Sequence, residues 1–284
     1  MKRYLYIALL SLIGLILRAE VPSPKHEIRA VWLTTIYGLD WPQKPATTEY
    51  GRKMQQQELC QILDRLKEAN FNMVFVQVRM RGDVIYKSAI EPASKTFSGK
   101  YGVMPGYDPL AFVIEECHKR GMECHAWMVT FPVGTDKIVK EQGRNSVVKR
   151  MPSLCKRFNG EWYLDPGVPG TDQYILSLVK EIVNGYDVDG IHFDYIRYPE
   201  EAKKFPDRAA YNKSGKGMPL DEWRRSNITR MVSMIYDWVK GVKPWIQVSS
   251  SPLGKYSRIP KVPNAGWTAY ESVYQDPGKW LQQG

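Results

Sequence analysis

Histidine and cysteine are scarce in this chain, with four of each among 284 residues. The histidines show neither HxH nor HExxH spacing, so the sequence offers no metal constellation and points to no cofactor. Cys60, Cys117, Cys124 and Cys155 are too few and too scattered for a disulfide scaffold. The stretch "CHKRGMECH" holds two Cys-His pairs. However, Cys117 falls on an expected helix and Cys124 on the strand after it, which suits small buried side chains better than ligands. No Ser lies in a GxSxG elbow, and "VSSSPLG" reads as a strand end. No glycine-rich turn follows the first apolar strand, where "TTIYGLDWP" stands instead, and this argues against a dinucleotide fold. Tracts of Lys and Arg interleaved with aromatics are also missing, so no nucleic-acid partner is expected.

Long apolar runs are equally rare. Residues 4–17 form one behind Lys2 and Arg3, but it is too short to span a bilayer comfortably. The pattern is that of a secretory signal peptide cleaved near Ala19, which implies export to the periplasm, the cell envelope or the medium. An uncleaved signal anchor is the rival reading. No cysteine follows the run, which argues against a lipoprotein anchor. The expected organisation is a signal peptide at 1–19 and one domain at 20–284, with no stable membrane span after cleavage. The net charge is +10, and losing Lys2, Arg3 and Arg18 with the signal leaves +7. That balance suits an anionic polymer or surface such as cell-wall material; the blander account is a basic solvated face.

What is present is a rhythm of strands and helices. "IRAVWLTTI", "NMVFVQVR", "MECHAWMVT", "VDGIHFDYI" and "WIQVSSSP" read as strands. Between them lie "LCQILDRLKEAN", "DPLAFVIEECHKRG" with Asp108 as N-cap, "TDQYILSLVKEIVNG" capped at Thr171 or Asp172, and "SNITRMVSMIYDWVKG". "DPGKWLQQG" begins another helix. Alternation of this kind gives a parallel sheet with right-handed crossovers. Long loops follow the strands and short ones precede them, as in a (β/α)₈ TIM barrel whose site lies at the carboxyl ends of its strands. Five strands are visible where eight are needed, so the expected fold is an α/β barrel cut short after about five strand-helix units.

Alternation also selects residues. In "GIHFD", Ile191 and Phe193 point to one face while His192 and Asp194 point to the other, towards a barrel lumen. A carboxylate at the strand's carboxyl end suits a nucleophile, a general acid or a general base, the groups that glycoside hydrolysis requires. Its structural alternative is a salt bridge to Arg197 or Arg79. Asp189 opens the same strand at the far end and reads as structural. Gln77, Arg79, Asp83 and Tyr86 gather at the end of strand two, His125 and Trp127 on strand three, Asp40 and Trp41 after strand one, and Tyr195 and Arg197 after strand four. Such a rim offers charged hydrogen-bonding groups to sugar hydroxyls and aromatic faces to sugar C–H surfaces. For Trp41 and Tyr86 the bland reading is that they only cover the rim.

"RAVWLTTIYGLDWP", "NMVFVQVRMRGDVIY", "GYDPLAFVIEECHKRGMECHAWM" and "YDVDGIHFDYIRYP" together resemble the glycosyl hydrolase-like 10 family, from about residue 26 to the last. The resemblance implies an exported bacterial (β/α)₈ protein, in a family that includes enzymes cleaving peptide-free peptidoglycan glycan strands. By the same resemblance Asp194 matches the family's acidic position after strand four, in a segment that often reads HFDDY; here Tyr195 takes the second place. Arg79 and Asp83 match its "QVR…GD" motif, and His125 and Trp127 match "HAW". The expectation is therefore a glycoside hydrolase with Asp194 catalytic and a polysaccharide as partner. A carbohydrate-binding barrel without catalysis, or a hydrolase of another exopolysaccharide, are the alternatives.

Overall fold

The computed structural model describes residues 27–215, 217–262 and 266–283. The expected signal peptide lies outside the described residues. Among the described residues there are eight strands: β1 (Ala30–Leu33), β2 (Met73–Arg79), β3 (Glu123–Val129), β4 (Pro132–Thr135), β5 (Cys155–Phe158), β6 (Glu161–Leu164), β7 (Gly190–Asp194) and β8 (Gln247–Ser250). Five of them make one sheet in the order β1-β2-β3-β7-β8, and every pairing in it is parallel. These are the five strands the sequence announces, and helices carry each crossover. The described strands form an open sheet and not a closed barrel, so β1 and β8 are its edges.

The two faces of the sheet differ as the alternation requires. Val74, Val76 and Val78 of β2, Cys124, Ala126 and Met128 of β3, and Ile191 and Phe193 of β7 are all buried in the apolar core beside the helices. The helix Glu49–Glu68 presents Leu59 and Leu63 to that core, one turn apart. Helix Thr171–Gly185 contributes Ile175, Leu178, Val179 and Ile182, and helix Leu220–Val242 contributes Ile228, Met231, Ile235 and Val239. Each such side chain adds about 1.5–3 kcal/mol by leaving water. The Asp108 cap forms as expected, its Oδ1 accepting from the Ala111 N–H at 3.2 Å. The cap of the next crossover helix does not: Gly170 occupies that place in a left-handed conformation, with Thr171 already inside the helix.

The long connection after β3 is not a loop. Residues 132–164 fold into an antiparallel sheet, β4-β6-β5, with a helix at Asp136–Gln142. Leu164 N–H donates to Phe131 O at 2.9 Å, Gln142 Nε2 donates to Arg81 O at 3.0 Å, and Arg81 pairs with Glu161 at 2.8 Å. These contacts fix the small sheet over the carboxyl ends of β2 and β3.

Candidate active site

On its other face the sheet is lined by aromatic and polar groups. Phase along each strand is fixed by register: Trp127 stands opposite Gln77 on one side and His192 on the other. Trp32, Phe75, His125 and His192 pack into one layer, with Phe75 stacked on Trp32 at 4.8 Å and tilted on His192 at 4.5 Å. His192 Nδ1 meets Ser249 Oγ at 2.8 Å, and its Nε2 accepts from the Trp32 indole at 3.4 Å. Burial, helped by the nearby His125, brings its pKa down to about 4, so the ring is neutral at physiological pH.

Asp194 ends β7 above that layer, half-buried. Its Oδ1 accepts from Tyr195 N–H at 2.7 Å and Ser251 Oγ at 3.2 Å, and its Oδ2 accepts from the Trp127 indole N–H at 3.2 Å. Its backbone carbonyl is held by Thr130, through N–H at 2.8 Å and Oγ1 at 2.9 Å. Burial pushes the carboxyl up, while these donors and the Arg197 charge favour the ionised form. Both oxygens therefore act as acceptors in a fixed orientation. Tyr195 follows with φ 50° and is 41% exposed, and the Arg197 guanidinium lies 4.5 Å from its ring centre. Arg197 also pairs with Glu200 at 3.0 Å.

Several expected rim residues lie elsewhere. Arg79 is fully buried and chelated by Glu91, with Nε and Nη2 each 2.7 Å from a carboxylate oxygen, and it reaches no ligand-accessible surface. Trp41 is buried as well, donating to Gln55 O at 2.8 Å and packing edge-on against Phe97. Tyr86 is buried against Tyr186, on the helix side of the sheet, and its hydroxyl has no partner among the described residues. Asp83 is buried and accepts from the Arg81 N–H at 3.0 Å. All four side chains are buried, Trp41, Asp83 and Tyr86 in the loops that leave β1 and β2 and Arg79 at the end of β2 itself. Gln77 is also buried, its Oε1 accepting from Thr34 Oγ1, Thr35 N–H and Ile36 N–H at 2.8–3.0 Å. Asp40 is exposed and caps the same loop, accepting from Thr34 N–H at 2.8 Å. His125 is near the start of β3 and not at its end, so it lies below the rim. Asp189 binds the Cys124 N–H at 2.7 Å and His118 at 2.9 Å, a structural place.

Sequence reasoning overlooked Ser251, Glu91 and Asp165. Ser251 had a signal, since period-two alternation along "VSSS" puts it in phase with Asp194 of the neighbouring strand. Glu91 and Asp165 sit in irregular segments where no periodicity speaks. Among the described residues no group of three or more His, Cys, Asp or Glu is placed to hold a metal.

The described residues thus form an α/β fold with a parallel strand-helix sheet and a clamped carboxylate at one strand's carboxyl end. The glycoside hydrolase domain of PgaB (BpsB) from Bordetella bronchiseptica shares the fold with TM-score 0.60 at 15% identity, over 90% of this chain and 72% of that one. Alpha-L-fucosidase isoenzyme 2 from Paenibacillus thiaminolyticus gives TM-score 0.55 at 16% identity, over 82% and 34%. At these identities the likeness concerns the fold alone. The profile of the family described as Glycosyl hydrolase-like 10 matches residues 27–284, and the chain belongs to that family. It is 33% identical over 269 residues to glycosyl hydrolase YngK of Bacillus subtilis, covering 91% of this chain and 52% of the relative. It is also 33% identical over 285 residues to glycosyl hydrolase DigH of Escherichia coli, covering 94% and 65%. The chain thus spans between half and two thirds of these relatives.

Proposed function

We propose that the protein is an exported glycoside hydrolase that cuts a bacterial cell-wall glycan, peptide-free peptidoglycan strands, with Asp194 as a catalytic carboxylate. The observation that carries this is the Asp194 clamp. Three donors orient one half-buried carboxylate at a strand's carboxyl end, where a nucleophile, general acid or general base would stand, and burial, the largest influence, raises its pKa against them. The names of YngK and DigH support the reaction class. Substrate and export rest on the family resemblance and on the apolar run at residues 4–17. In a retaining mechanism the partner acid stands about 5 Å from the nucleophile, and in an inverting one about 6.5–9.5 Å from the base. Trp32 is 48% exposed on the lumen face, and β1 and β8 each keep an unpaired edge. Further strands between those edges would complete a barrel and bring the remaining groups of the site.

One observation favours a second reading, a saccharide-binding barrel without catalysis. No carboxylate among the described residues is hydrogen-bonded to or paired with Asp194 through a shared group, apart from Glu200 by way of Arg197. Digestion of purified peptide-free glycan strands by the wild type and Asp194→Asn separates the two. New reducing ends from the wild type, reduced at least about a hundredfold in the variant, are expected for a lost catalytic group. Binding without cleavage in both proteins would leave the binding barrel.

A further inference from the structure

We propose that Tyr37 is a sugar-stacking subsite of this cleft, remote from Asp194, through which the protein grips a polysaccharide chain several units long. The inference rests on the saccharide reading above and adds a residue and a chain-length requirement to it. Tyr37 stands in the loop leaving β1, at the same end of the sheet as Asp194. Its backbone is left-handed, φ 56° and ψ 11°, a region that residues bearing a Cβ enter at a cost and that Gly and Asn fill more easily. The residue is 70% exposed, and no side-chain hydrogen bond or ring stacking engages it among the described residues. An apolar face in water and a left-handed backbone thus coincide at one position.

The loop is nonetheless held firmly. The Gln77 amide oxygen accepts three hydrogen bonds from Thr34, Thr35 and Ile36, Thr35 Oγ1 donates to Gln77 O at 2.7 Å, and Asp40 closes the turn on Thr34 N–H. A pre-organised loop that displays a large ring is what a stacking platform requires. Tyr195 repeats the signature beside Asp194, with φ 50° and an exposed ring backed by Arg197. Of the three left-handed tyrosines among the described residues, Tyr274 is buried and the other two are exposed. β1 and β7 are three strand spacings apart, about 14 Å, so a chain touching both rings spans more than one sugar. The ligand is a pyranose polymer, recognised through its C–H faces.

The test uses Tyr37→Gly, which relieves the left-handed strain, and Tyr37→Phe, which keeps the ring. Both are made in the Asp194→Asn background and assayed for binding to peptide-free peptidoglycan strands, with thermal melting alongside. Tyr37→Gly should weaken binding of long strands about fivefold to tenfold, the worth of one stacked ring, while Tyr37→Phe stays within about twofold. The loss should fade on disaccharide fragments, and the melting temperature of Tyr37→Gly should not fall. Unchanged binding by Tyr37→Gly, a lowered melting temperature that marks the ring as part of the core, or no strand binding at all would overturn the subsite. Reducing-end release by the parent enzyme is read separately. Cleavage with no effect of Tyr37→Gly sinks the subsite only, and strand binding without cleavage sinks the hydrolysis only.

Discussion

Asp194 is set between opposed influences, and each can be removed singly. Burial raises its carboxyl while Tyr195 N–H, Ser251, Trp127 and Arg197 favour ionisation. Trp127→Phe keeps the ring's bulk and deletes the donor on Oδ2, so the carboxyl rises further. A group that must be ionised then loses activity at a higher pH. The acid limb of kcat/KM should move upward by on the order of one pH unit, the worth of a hydrogen bond to a charged group. A limb that stays in place would show that another group controls it. Asp165 offers a stability test away from the site. It is wholly buried, its Oδ1 accepts from Gly167 N–H at 2.9 Å, and its Oδ2 has no partner among the described residues. Burial, with Asp207 adding to it, pushes its pKa from 3.8 to about 6 against the pull of Lys156 and Arg224. A raised carboxyl favours the folded state while protonated, so this contribution is complete below pH 3.8 and fades as the pH climbs to about 6. Asp165→Asn keeps the Oδ1 acceptor and removes the charge. Chemical denaturation should find the variant more stable than wild type at pH 7, by up to about 3 kcal/mol, with the advantage gone near pH 4.

Elements fit one another through small residues at the right register. Gly190 begins β7 opposite His125, and a Cβ there would lie 2.2 Å from His125 Nδ1. Nδ1 itself has no partner among the described residues and faces the space that the glycine leaves. Gly190→Ala must displace the buried ring or separate the strands, so denaturant midpoints should report a loss of about 1–3 kcal/mol, the usual cost of overpacking. No loss would mean that β3 and β7 can shift to make room. The strands themselves were readable, because β-branched and apolar residues on one face cannot be satisfied except against helices. Helix starts were less so. Helix Glu49–Glu68 begins ten residues before the apolar pattern at "LCQILDRL", capped by Thr48, and helix Leu220–Val242 begins six residues before "SNITRMV". Glu49 and Tyr50 in the one helix and Asp221 and Glu222 in the other are exposed, while Trp223 is already buried one turn before the apolar pattern that marks its helix.

At the scale of the whole molecule, an open sheet should have unequal protection. β2, β3 and β7 are paired on both sides, β1 and β8 on one. In hydrogen exchange the amides of β1 and β8 should exchange at least about tenfold faster than those of the three central strands, because an edge opens without breaking a second ladder. Equal protection would indicate that something covers the edges in solution, a second copy or further strands of the barrel. No helix among the described residues is long and apolar enough to cross a membrane.

Sequence alone determined the parallel strand-helix order, the two faces of each strand and the position of Asp194 at a strand's carboxyl end. These follow from local periodicity, which is written in every third or second residue. Only the tertiary structure decided which of the candidate side chains are exposed and which are buried. Arg79, Trp41 and Tyr86 carry the residue types of a sugar cleft, yet long-range partners at Glu91, Gln55 and Tyr186 draw them inside. Ser251 and Trp127 join the Asp194 clamp through strand register, which alternation had already put in phase. A loop residue's exposure depends on what the rest of the chain packs against it, and that is set by contacts distant in sequence.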